Sequence, residues 1–477
     1  MGKTYEIVEA YELPNHATPL SVTDNDGRHY WTISIPPNLN FPLSYEDYVD
    51  VCSQVEDVAR HAAGPEWQEE QHLDYYHFER HYLDVREAQS RHFLPPSIDI
   101  GGGRNALPIC EKSLTYILDD ADPGVGSALM GMWLSYSLAQ LEGRAFFIDD
   151  THFPYGSYST FFTTMPVPRC RPPPPSQRVP CPHQANHLVV SAGTTSWMFG
   201  EAFQERFSKR EIFDMARHGY EALFQMTKED DEYVHSRAQK LRENEDDDTA
   251  NGLVGIHLRR GDRHPFSFAH QLGYLPPEHY LAVARKLIGY SSQWKLLLAS
   301  DDADMYDHPD LPGTIRAQTR ISLASKKKLA TGLGWEGGFF KEFFWGLGLP
   351  EHVTALKGAN GPKPTMGKPP DESSQDESNN KNTNTNAAAV QKPTIREEYR
   401  DRNYRTHPTK EALQMREFLG RAYLLDLAMI AQSDKVICGV SSYACRILAV
   451  MLGWERAFEH GDWTNVDGNF EWRAMDP

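Results

Sequence analysis

Leu253, Val254, Ile256 and Leu258 make a run of branched aliphatic residues, and the chain passes from it directly into Arg259 and Arg260. Such a run has the character of a parallel strand covered on both faces, which calls for helices on either side and so for an α/β fold. Both arginines then stand at the strand's carboxyl end, where ligands sit in open α/β sheets. Paired guanidiniums can hold phosphate oxygens bidentately without losing charge, so the pair suits an anionic ligand. Gly261 lets the chain turn, and Asp262 can orient a guanidinium. A surface salt-bridge cluster is the competing reading of these residues alone.

The remaining organisation supports more than one unit. At 477 residues the chain has room for two or three cores. A net charge of -18 argues against a nucleic-acid partner, so any basic site must be local. No run of eighteen apolar residues is present, which gives no expectation of a transmembrane segment, and Met1 to Leu20 lacks the pattern of a secretory signal. Read alone, that favours the cytosol.

Residues 1–95 are polar, with amphipathic helical pieces at Tyr45 to Ala63 and Trp67 to His92. A first Rossmann-like domain is expected over residues 96–248, with a strand at Tyr116 to Leu118, a helix at Ser127 to Leu141 and a strand at Ala145 to Ile148. Gly124 and Gly126 precede that helix, where they either let backbone amides approach a phosphate or simply make a tight turn. The Pro-rich loop Cys170 to Cys181 invites a disulfide between its ends, the alternative being two free thiols. No CxxC pair points to zinc. The acidic run Glu243 to Asp248 marks a boundary, and residues 249–477 form a second domain. Lys357 to Lys392 is almost without aliphatic residues and reads as a disordered insertion into it.

Within the second domain, the strand Trp294 to Ala299 delivers Ser300, Asp301 and Asp302 to the same crevice as the arginine pair. The carboxylates orient the arginines, or Asp302-Ala-Asp304 holds a divalent metal, or Asp302 caps a helix. Further on, Leu424 to Ile430 is apolar nearly all round apart from Asp426, a buried carboxylate that needs an arginine or a ligand. Guanine offers two N–H donors to its two oxygens. The strand Lys435 to Val440 then leads to Ser441, Ser442 and a helix carrying Arg446, one turn beyond Ser442, which reads as a second phosphate grip or an ordinary serine cap.

The order and spacing of these segments resemble the three motifs of the α-1,6- and O-fucosyltransferase superfamily, most closely the α-1,6-fucosyltransferases of glycosyltransferase family 23. The likeness rests on His257 to Arg263, on Asp301 and Asp302, on Asp426, Ser442 and Arg446, and on Gly124 to Ile148 with Tyr158 to Phe162, covering roughly residues 110–460. It implies a GT-B-like build of two Rossmann-like domains facing a cleft, with a GDP-sugar, here GDP-fucose, on the carboxyl-terminal side and a glycan or glycoprotein acceptor across from it. It also implies inverting transfer without a metal or other cofactor. In that picture Arg259 and Arg260 neutralise the departing pyrophosphate, Gly126 and Ser442 share the load, His257 lines the phosphate pocket, Asp426 reads guanine and Asp302 supports the donor. Arg263 replaces the family's lysine, and the family's proposed base, a glutamate shortly after the arginines, has no counterpart before Glu278. Asp262, His264, His270 and Glu278 stay as candidates, and a non-catalytic GDP-sugar-binding protein is the alternative reading. Cys438 and Cys445 match a pair that is disulfide-linked in these secretory-pathway enzymes, which implies an oxidising lumen.

Overall fold

In the computed structural model the described residues are 13–66, 75, 81–97, 107–119, 124–163, 166–243, 252–260, 274–289, 293–322, 344–345, 347, 354–355, 394–395 and 408–476. The N-terminal region departs from a purely helical reading. Strands β1 (Thr18–Thr23) and β2 (His29–Ser34) pair antiparallel around a turn that Asp24 closes by accepting from the Asp26 and Arg28 amides. Helix α1 (Tyr45–Ala63) keeps its expected bounds because Ser44 and Asp47 cap it reciprocally. Of the second expected helix, most of 67–80 lies outside the described residues, and α2 (Val85–Ser90) is the helical part that is seen.

The first parallel sheet contains β3 (Ser113–Ile117), β4 (Ala145–Asp149) and β5 (His187–Val190) in the order β4-β3-β5. Helix α3 (Val125–Leu141), between β3 and β4, has mostly buried residues all round because it is covered by the sheet and by other helices. After β5 come α4 (Thr195–Phe199), α5 (Glu201–Arg206) and α6 (Lys209–Leu223). Helix α6 crosses α3 so closely that a β-carbon on Gly219 would stand 2.3 Å from the Trp133 carbonyl oxygen.

Helix α7 (Lys228–Arg242) already packs on the second unit, where Arg242 grips the Asp434 carboxylate at 2.8 and 3.0 Å. The second sheet is parallel throughout. It comprises β6 (Gly252–Leu258), followed by α8 (Pro277–Ile288), then β7 (Trp294–Ser300) and β8 (Thr314–Arg316). A short antiparallel pair, β9 (Thr354–Ala355) with β10 (Thr394–Ile395), brings together the two ends of the stretch 357–392, which itself lies outside the described residues. Then come α9 (Lys410–Ala431), β11 (Lys435–Cys438), α10 (Tyr443–Leu452) and β12 (Trp463–Asn465), giving the order β12-β11-β6-β7-β8. Nearly all of α10 is buried, because it packs on β11 and β12 and, on its other side, on α3 and α6. One hydrophobic core therefore runs through both sheets. Among the described residues no helix is long and apolar enough to cross a membrane.

All six cysteines are paired. Cys170 and Cys181 are not joined to each other, as the Pro-rich loop had suggested. Instead Cys170 binds Cys110 and Cys181 binds Cys52, each tying the loop to a neighbouring segment. Cys438 and Cys445 are joined, closing the turn that carries Ser441 and Ser442.

Candidate functional site

Strand β6 runs through α8 to β7 on one side, whereas β11 lies on its other side, so the strand order reverses between β6 and β11. Such a reversal opens a crevice at the strands' carboxyl ends. The end of β6 carries Arg259 and Arg260, and the end of β11 leads into Ser441 and Ser442.

Alternation along β6 sorts its side chains. Ile256 and Leu258 join the core under α8, whereas Gly255 meets Ile430 of α9, so His257 and Arg259 fall on the α9 side. Asp301, just past β7, binds both arginines. Its Oδ1 accepts from the Arg260 amide at 2.7 Å, and its Oδ2 lies 3.3 Å from Arg259 Nη1. The Ser300 hydroxyl donates to the Leu258 carbonyl at 2.8 Å, locking the two strand ends together. The Arg260 guanidinium lies 5.0 Å from the Tyr274 ring centre, with Nε 3.3 Å from Met305 Sδ. Of the three readings for the paired aspartates, orientation of the arginines holds for Asp301 and capping holds for Asp302, which accepts from the Asp304 amide at 3.0 Å. Burial raises the Asp302 pKa. Among the described residues no cluster of three metal-binding side chains occurs.

His257 is 4% exposed, and its Nδ1 has no hydrogen-bond partner among the described residues. Burial pulls its pKa down to about 4, opposed by Asp301, so the ring is neutral at pH 7. Asp426 is also buried, and desolvation pushes its carboxyl well above the usual range. Hydrogen bonds from Gln318 and the charges of Arg316 and Arg237 work against that rise. Its Oδ1 has no partner among the described residues. Asp426 thus has neighbours at the end of β8 and one carboxylate oxygen still uncommitted.

Two expected contributors are placed differently. Arg446 is 1% exposed and turned into the protein, with Nε donating to the Val440 carbonyl at 2.9 Å and Nη2 to Asp476 at 2.8 Å. It therefore braces the strand-to-helix turn, with Nη1 left without a partner among the described residues, and Ser442 caps α10 without a side-chain hydrogen bond. Gly126 is likewise a packing residue. A β-carbon there would meet the Tyr423 hydroxyl and Tyr443 Cβ, each at 2.8 Å, so the glycine lets α3 close on α9 and α10. Gly124 stands at the N-cap of α3. Asp262, Arg263, His264 and His270 lie outside the described residues, and Glu278 is exposed in the first turn of α8. Tyr423 was missed. It lies one turn before Asp426 on the same helix face, and that spacing was the available signal.

Two parallel sheets, each with helices on it and a reversal of strand order, make an α/β protein with two Rossmann-like units. No family model and no curated protein matches the chain. It is similar to solved fucosyltransferases. NodZ α-1,6-fucosyltransferase soaked with GDP-fucose matches at 13% identity and a TM-score of 0.37, over 71% of this chain and 92% of that one. Arabidopsis thaliana FUT1, as a variant in complex with GDP, matches at 9% identity and a TM-score of 0.33, over 88% and 79%.

Proposed function

We propose that the chain is an inverting glycosyltransferase that takes fucose from GDP-fucose, or the sugar of a related GDP-sugar, to a hydroxyl of a glycan or glycoprotein, without a metal. The observation that carries this reading is the placing of Arg259 and Arg260 at the reversal point of the second sheet, where Asp301 holds the Arg259 guanidinium and the Arg260 backbone amide. In the reaction the acceptor oxygen bonds to the anomeric carbon as the bond to the pyrophosphate oxygen breaks. Negative charge grows on that leaving oxygen, and fixed guanidiniums in a crevice stabilise it without reorganising. The acceptor proton passes to a base, for which Asp262, His264, His270 and Glu278 are candidates.

The buried, uncommitted Asp426 Oδ1 supports guanine as the base, since a carboxylate there accepts a donor that the protein does not supply. The neutral His257, whose Nδ1 has no partner among the described residues, supports a polar ligand group beside the arginines. Three disulfides favour an oxidising compartment. The test is GDP release from a panel of GDP-sugars with and without glycan acceptors, in the presence of a chelator. Acceptor-stimulated release supports the reading. GDP binding with no turnover on any acceptor favours a binding protein, and release abolished by the chelator rejects the metal-free mechanism.

A further inference from the structure

Tyr423 extends from α9 to the start of α3, where its hydroxyl abuts Gly126, beside Tyr443, the first residue of α10. It therefore stands where the two units meet. The charges of Arg259 and Asp301 both reach it. The phenol is half-buried, and its hydroxyl makes no hydrogen bond to any of the described residues. A hydroxyl on a half-buried side chain with no protein partner is open to a ligand or to water. Tyr158, by contrast, is 1% exposed and donates to the Leu223 carbonyl at 2.6 Å.

We propose that Tyr423 is a donor-substrate-binding residue whose O–H donates to an oxygen of the pyrophosphate held by Arg259. The assignment rests on the GDP-sugar reading and adds to it a contact from the α9 face. A pyrophosphate offers acceptors only, so it complements both a guanidinium and a protonated phenol. Burial raises the phenol's pKa, against the opposing pull of Arg259, so the group stays protonated at neutral pH and acts as a donor, not as the missing base. The contact spans the junction of the units: Arg259 comes from the second sheet, and the hydroxyl is pressed against the first unit's helix.

The experiment is calorimetric titration of the full chain with GDP and, separately, with guanosine, for the wild type and Tyr423→Phe. The substitution removes one oxygen that bonds nothing in the described protein, so the melting temperature should hold. GDP affinity should fall by about tenfold to hundredfold, the range for a lost hydrogen bond to a charged group, whereas guanosine affinity stays the same. Unchanged GDP affinity in the variant would overturn the assignment while leaving the GDP-sugar reading in place. A parallel loss for GDP and guanosine would overturn it too, by showing that the phenol shapes the pocket as a whole. Failure of the wild type to bind GDP would remove the reading on which the proposal rests.

Discussion

The hydroxyl of Tyr423 lies 2.8 Å from the point at which a β-carbon on Gly126 would stand, so a residue of α9 decides what the first turn of α3 can be. Tyr443 closes the same point from α10 at the same distance. Gly126→Ala should therefore destabilise the protein by about 1 to 3 kcal/mol, the usual cost of overpacking a close contact. Tyr423→Phe in the same chain should recover only part of the loss, because Tyr443 Cβ belongs to a helix and has less room to give. Denaturant unfolding of the single and double variants checks this. An alanine variant as stable as the wild type would show that the helices separate at little cost.

Arg260→Ala should lower turnover far more than stability, by about 10² to 10³ in rate, since the side chain stands at a strand's ligand end. Arg260→Lys should also be slow, because a point charge does not reproduce the planar fork. Steady-state kinetics with melting temperatures decide the matter, and near-normal turnover in the lysine variant would remove bidentate contact from the mechanism.

Asp426→Asn separates recognition from packing. Burial holds the carboxyl's pKa above its unfolded value, so the folded state binds the extra proton and the residue's contribution to stability falls as pH rises through that shifted value. The amide variant should thus be at least as stable as the wild type at pH 7. It should nevertheless bind GDP about tenfold to hundredfold more weakly, with ADP and UDP unchanged. Equal loss for all three nucleotides, together with a lower melting temperature, would assign Asp426 to the fold alone.

Acid should destabilise the protein between pH 6.5 and about 4. His257 and His187 are both buried, and burial lowers each pKa to about 4, so the unfolded chain takes up protons in that window that the folded chain refuses. Their contribution is full above pH 6.5 and is lost as pH falls, by about 3 kcal/mol for each ring. Urea unfolding at pH 7, 5.5 and 4.5 should show the loss, and His257→Gln should flatten part of it. A variant with the wild-type pH dependence would contradict a neutral His257.

Removal of residues 357–392 with a short Gly/Ser linker should leave GDP affinity and melting temperature unchanged. The pairing of Thr354–Ala355 with Thr394–Ile395 keeps the two ends together, and a short replacement loop costs little to close. A large fall in GDP affinity would place the segment against the site.

Much of this architecture was legible because buried strands and all-round apolar helices leave strong local signals. Strands β6, β7 and β11 and helix α3 fall where aliphatic runs placed them, within a few residues at the ends. Contacts between distant segments were not legible. Cys170 and Cys181 lie near each other in sequence, yet each bonds a residue from elsewhere, 60 and 129 positions away. Arg446 follows Ser442 by one helical turn, but its direction depends on Asp476, whose approach no local pattern reports. The β1–β2 hairpin was hidden by its polar residues, of which Thr18, Thr32 and Ser34 are buried. Gly126 read as either a phosphate approach or a tight turn, and its close packing on Tyr423 and Tyr443 was not legible because a glycine needed for packing is written like any other.

The burial of α10 between both sheets bears on how a substrate can enter. Two lobes joined only by a hinge can swing apart, whereas lobes that share a buried helix would have to expose it to do so. The two sheets are therefore expected to stay nearly fixed as a substrate enters and leaves, and heating should melt both halves together.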